Sequence, residues 1–136
     1  MNRTVSLTVD GTKVVLPIIP SNAELVKING YYAVSKGRLV RRVIVDKPDG
    51  IKPIIQYALT LQREYGKNVD LKLVTHKRGT FLRFKREDGI AIYVHTTTRD
   101  VYVRRADMRN EVFAKAIGYF LYACGYKLKE KTVMRL

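Results

Sequence analysis

The side chains best equipped for chemistry in this chain are two histidines and a set of arginines, lysines and aromatics, gathered between Val69 and Arg105. His76 and His95 share that stretch with Arg83, Lys85, Tyr93 and Tyr102. Imidazoles that exchange protons, beside guanidinium groups that stabilise a developing phosphorane, are what a metal-independent ribonuclease needs. The same side chains can bind without reacting, since rings stack on bases while Lys and Arg neutralise phosphates. Metal-dependent nuclease chemistry requires clustered carboxylates, and here Glu64, Asp70, Glu87, Asp88, Asp100 and Asp107 are dispersed. There is no P-loop, dinucleotide fingerprint, nucleophile elbow or paired-histidine metal spacing. Cys124 is the lone cysteine and lies in an apolar run, which reads as packing. We therefore expect a binding protein with no catalytic residue, no metal and no cofactor. A small toxin-like ribonuclease is one alternative, and an assembly or adaptor protein without a nucleic-acid role is another.

Charge points to the partner. Lys and Arg number 26 against 12 Asp and Glu, giving a formal net charge of +14 and a pI near 10.1. Such an imbalance selects polyanions, nucleic acid before anionic membrane. The cations are spread along the chain and do not form one basic tail. No segment has the roughly 18 apolar residues of a membrane span, and the first residues lack an apolar signal region. We expect a soluble, cytoplasmic protein without membrane partners, and the composition suggests a thermophile.

The elements that position these residues begin with a meander of four strands, VDLKLVTH, TFLRFKR, IAIYVHT and RDVYVRR. A three-residue loop Glu87-Asp88-Gly89 with a left-handed glycine sets Arg86 opposite Ile90, Phe84 opposite Ile92 and Leu82 opposite Val94. Thr97-Thr98 as a loop sets Val94 opposite Val101 and Ile92 opposite Val103. Arg78-Gly79 as a loop sets Leu73 opposite Phe84. One face then carries Val69, Leu71, Leu73, Leu82, Phe84, Ile90, Ile92, Val94, Val101 and Val103 and is core. The other carries Lys72, Val74, His76, Phe81, Arg83, Lys85, Ala91, Tyr93, His95, Asp100, Tyr102 and Arg104. On it we assign Phe81, Tyr93 and Tyr102 as stacking platforms and Lys72, Arg83, Lys85 and Arg104 as phosphate contacts, with His76 and His95 as further ligand contacts.

Upstream, Asp10-Gly11 turns a hairpin with Leu7 facing Val14 and Val5 facing Leu16. Asn29-Gly30 reads as the turn of a second hairpin, ELVKI to YYAV, followed by a turn at Ser35-Lys36-Gly37 and a strand ending at Asp46. Tyr32, Arg41 and Arg42 form a second basic and aromatic patch there. Pro53 opens a helix whose Ile51, Ile54, Ile55, Ala58, Leu61 and Tyr65 recur at spacings of three and four, and Gly66 closes it. Asp107 reads as the N-cap of a helix from Met108 to Cys124. Its second half, AIGYFLYAC, is apolar all round and must be covered on more than one side, by two sheets or a second subunit. We expect a homodimer or higher homo-oligomer through 112–125. The tail alternates Lys with Tyr126 and Leu128, as an edge strand or a partner-reaching arm.

The expected fold is a single α+β domain over 1–136: a hairpin region at 1–46, helix, four-stranded antiparallel meander and helix at 51–125, and the tail at 126–136. The order helix, meander, apolar helix, carried by Pro53 to Gly66, Val69 to Arg105 and Asp107 to Gly125 on a basic, Tyr-rich chain, resembles the ThermoDBP-type single-stranded DNA-binding proteins of thermophilic archaea. That resemblance implies a single-strand-binding protein with a cleft of aromatic and basic side chains, oligomerised through C-terminal elements.

Overall fold

In the computed structural model, which describes residues 3–65, 69–109 and 111–135, the chain is α+β and dominated by sheet. A seven-stranded sheet runs in the order β1 (Arg3–Val9), β2 (Thr12–Pro20), β6 (Val69–His76), β7 (Gly79–Arg86), β8 (Ala91–His95), β9 (Val101–Arg104), β3 (Leu25–Lys27). A three-stranded sheet has β5 (Arg38–Asp46) between β10 (Lys127–Arg135) and β4 (Gly30–Ser35). Two α-helices, α1 (Lys52–Tyr65) and α2 (Glu111–Ala123), complete the described elements, with a 3-10 turn at Arg105–Arg109 ahead of α2. The expected meander is thus the middle of a larger sheet. β2 adds to one side of it by parallel pairing, Ile18 to Leu73 and Ile19 to Val74, and β3 adds to the other, Val26 to Val103.

Turn chemistry set most of the registers. Asp10 and Gly11 are both left-handed, at φ 51 and 77, and pair Leu7 with Val14 and Val5 with Leu16. Gly89, at φ 86, closes the expected three-residue loop, with the Arg86 amide donating to the Ile90 carbonyl at 2.9 Å. Two turns differ. The β6–β7 loop is Lys77-Arg78, so Leu73 meets Leu82 and Leu71 meets Phe84. That moves each pairing by two residues and leaves the faces unchanged. The β8–β9 connection runs over the five residues 96–100 with Arg99 left-handed at φ 60, yet Val94 still meets Val101.

Asn29-Gly30 is not a hairpin turn. The Ile28 amide donates to Val101 in the large sheet, while the Asn29 carbonyl accepts from Ile44 in the small one. The chain passes between sheets here because β9 and β5 offer pairing partners that a local hairpin would forgo. The Lys36-Gly37 turn does form, joining β4 to β5.

Both helices pack on the face predicted as core, where Leu71, Leu73, Leu82, Phe84, Ile92, Val94, Val101 and Val103 are buried. α1 contributes Ile54, Ile55 and Ala58, and its predicted stop at Gly66 lies outside the described residues. Asp10, in the first turn, reaches α1 through Lys52 at 2.6 Å and Gln56. The Lys52 contact, then Gln56, holds its carboxyl below the usual value. Asp107 is not an N-cap; it lies in the 3-10 turn and receives Arg104 at 3.0 and 3.2 Å.

α2 is covered on two sides by the two sheets. Phe120 packs on Phe84 and Tyr57, and Phe113 meets Tyr31 of β4 edge-on. Phe113, Ile117, Leu121 and Cys124 are buried. Burial pushes the Cys124 thiol up to about 12, so it stays protonated and inert. The remaining face of the helix leaves Tyr119 and Tyr122 64% and 80% exposed. The tail is the edge strand β10.

Candidate nucleic-acid interface

The meander face proposed for binding is gathered as expected, but around a buried ring. Phe81 is ringed edge-on by His76, Tyr93, His95 and Tyr102, at centroid distances of 5.8, 6.3, 5.2 and 5.1 Å. Phe81 and Tyr93 are 0% and 3% exposed, packed with Val74, Ala91 and Leu25, and bordered by Ile19, Ala23 and Tyr102. Neither ring can receive a base in this arrangement, which corrects their assignment as stacking platforms.

Connectivity is the cause. In a flat sheet β2 and β3 would stand five strand spacings apart, about 24 Å. The five Cα steps from Pro20 to Leu25 span at most about 18 Å. The sheet must curl toward the face bearing Phe81 and Tyr93, and residues 21–24 strap across its mouth. The strap is tied down at both ends. The Ser21 amide donates to Thr75 at 3.0 Å, the Ala23 carbonyl lies 2.8 Å from His76 Nε2, and the Glu24 carbonyl accepts from the Arg105 amide.

The remaining residues of that face serve the fold. His76 Nδ1 accepts from the Arg78 amide, and His95 Nδ1 accepts from the Thr97 and Thr98 amides, so both imidazoles hold turns. Arg83 and Lys72 share Asp70, at 3.0 and 3.6 Å, and Arg104 is engaged by Asp107 and the Gly89 carbonyl. Three of the four expected phosphate contacts thus already have acidic partners, while Lys85 has none among the described residues. Tyr102 is half-buried under the Arg78 guanidinium, 5.8 Å from its centroid.

The second patch is open. Tyr32 is 49% exposed and pairs across β4–β5 with exposed Arg41, whose guanidinium lies over Gly30. Arg42, opposite the buried Tyr31, faces the other way, toward α2. There it joins Lys127, Lys129, Tyr122 and Tyr126 around a groove of about 660 Å³ between the small sheet and α2. Among the described residues, the charged ones lining that groove are Arg42, Lys127 and Lys129. Lys127 reaches Asp46 only at 3.9 Å, with both side chains well exposed. Across α2, a groove of about 770 Å³ is walled by Tyr57, Leu61, Phe84, Tyr119 and Phe120 and rimmed by Arg86, Glu87, Asp88 and Lys115.

Sequence reasoning missed Tyr119 and Tyr122, treating the helix as apolar all round. Two tyrosines three apart facing a Lys-alternating tail were the available signal. Among the described residues no three His, Cys, Asp or Glu side chains converge as a metal site would require, and no helix is long and apolar enough to cross a membrane. Searches against protein-family profiles, curated proteins and solved structures found no match to the chain. The functional reading therefore rests on the residues themselves.

Proposed function

We propose that the protein binds single-stranded nucleic acid, DNA or RNA, with little sequence preference, in the groove between the small sheet and α2. The observation that carries this is Tyr122, 80% exposed, beside a groove whose charged lining among the described residues is Arg42, Lys127 and Lys129. Any base can stack on a tyrosine face, and cations along one wall follow a backbone without reading base edges. Tyr32 and Arg41 extend the surface to the outer face of β4–β5.

The test is a salt-titrated comparison of single-stranded DNA, single-stranded RNA and duplex. If Arg42, Lys127 and Lys129 neutralise about three phosphates, log affinity falls against log salt with a slope of roughly −2.1. A slope near zero, or equal affinity for a neutral polymer, sinks the reading.

A further inference from the structure

Tyr119 and Tyr122 stand three residues apart on the uncovered face of α2, with one groove on either side of them. Residues at that separation on a helix project side by side, about 5–6 Å apart at Cβ. Tyr119 leans against Tyr57, at 6.4 Å between centroids and an interplanar angle of 51°, which fixes its ring while leaving 64% of the residue accessible. Cations lie on both sides of the pair, with Arg42, Lys127 and Lys129 beside Tyr122, and Lys115 and Arg86 beside Tyr119. Of the two acidic side chains on the Tyr119 side, Asp88 is paired with Arg86 at 3.3 Å.

An uncovered aromatic helix face could take a second copy of the chain or another molecule, and charge decides between them. A second copy of a chain with net charge +14 would bring these cations toward their own kind. A polyanion meets the cations beside Tyr122 with opposite charge; beside Tyr119, Arg86 and Lys115 are offset by Asp88 and Glu87, so the crossing there is carried by the exposed ring and by Lys115. We infer that a single strand does not stop in the groove beside the small sheet but crosses α2, stacking successive bases on Tyr122 and Tyr119 and ending with a phosphate at Lys115. This rests on the single-strand reading above and gives it a path and a length. The helix face from Val112 to Tyr122 is about 15 Å long, so the minimal ligand is on the order of four nucleotides, at the short end of known single-strand sites.

The experiment measures fluorescence anisotropy of labelled oligothymidylates of two, four, six and ten nucleotides, alongside sedimentation of the protein with and without ligand. Affinity should rise steeply to about four nucleotides and flatten beyond. Tyr119→Ala should weaken binding of the four-nucleotide ligand on the order of tenfold, with Tyr119→Phe restoring it. Lys115→Ala should reduce the salt slope by about 0.7. Lys13→Ala, in β2 and outside the path, should match wild type. If Tyr122→Ala weakens binding while Tyr119→Ala and Lys115→Ala do not, the strand stays in the small-sheet groove and the crossing is overturned, with single-strand binding intact. If no oligonucleotide binds, the underlying reading falls as well. If the free protein is a dimer that Tyr119→Ala dissociates and oligonucleotide does not, a second copy owns this face and the path is overturned.

Discussion

Two surfaces of this molecule are written in nearly the same alphabet and end in opposite environments. The meander face alternates Phe81, Tyr93 and Tyr102 with Lys72, Arg83 and Lys85, while the groove between the small sheet and α2 sets Tyr122 among Arg42, Lys127 and Lys129, with Tyr32 and Arg41 on the sheet's outer face. On the first, Phe81 and Tyr93 are interior, Tyr102 is half-buried, and Arg83, Lys72 and Arg104 are matched by acids. On the second, Tyr32 and Tyr122 are open, and Lys127 lies 3.9 Å from Asp46 with both side chains well exposed. Strand alternation decides which side chains share a face. Whether that face meets water depends on where the rest of the chain must go, here on a connection too short to let the large sheet lie flat.

The sharpest way to break this comparison is at Phe81. Removing a fully buried ring packed edge-on by four others should cost about 3 to 5 kcal/mol. Chemical denaturation of Phe81→Ala at neutral pH would read this. An unchanged midpoint would mean that the meander face is not a core. Tyr122→Ala probes the other side. It should lower single-strand affinity by about 1 to 3 kcal/mol while moving stability by less than about 0.5 kcal/mol, as judged by titration and unfolding of the same sample.

A smaller effect is expected at the junction of the sheets. Asp100, 13% exposed, takes Lys47 at 2.9 Å and Lys27 at 3.3 Å. Burial opposes its ionisation, but hydrogen bonds from Lys47, Lys27 and Thr98 together outweigh it and hold the carboxyl below its usual value. Its contribution is therefore complete above the unfolded value of 3.8 and is lost as pH falls through the lower folded value. Asp100→Asn should cost about 1 to 2 kcal/mol at pH 7. It should also flatten the acid limb of a stability-versus-pH profile, and an identical acid limb would remove Asp100 from the account. The smallest change is expected at Arg105→Ala. It breaks an ion pair to Glu24 in which both side chains are well exposed, so thermal unfolding should shift by less than about 0.5 kcal/mol. A large loss would mean that the strap is held by charge and not by Ile19, Ala23, Leu25 and His76.

Much of the large sheet was legible because its information is local. Asp10-Gly11 and Glu87-Asp88-Gly89 need left-handed residues, and those needs fix registers that a period of two then extends along each strand. The buried stripe of α1 and the edge position of β10 follow from the same kind of pattern. What was not legible is non-local. Nothing within LVK announces pairing with β9, and nothing within IIP announces a parallel ladder with β6. Asn29-Gly30 has the chemistry of a hairpin turn, and only competition from two distant strands overrides it. One warning stood in plain sight. Val74, Phe81 and Ala91 form an apolar group on a face assigned to solvent, and a face that carries such a group should be suspected of being covered.

The strap at 21–24 also reverses a usual expectation about where a chain tolerates change. Loops ordinarily accept inserted or deleted residues more readily than the elements they join. This one acts as a ruler on the curvature of the sheet. A residue removed from it would leave β2 and β3 unable to hold their outer positions together, and residues added would release the constraint that keeps Phe81 and Tyr93 enclosed. For insertions and deletions, these four loop residues carry the intolerance normally found in a core strand.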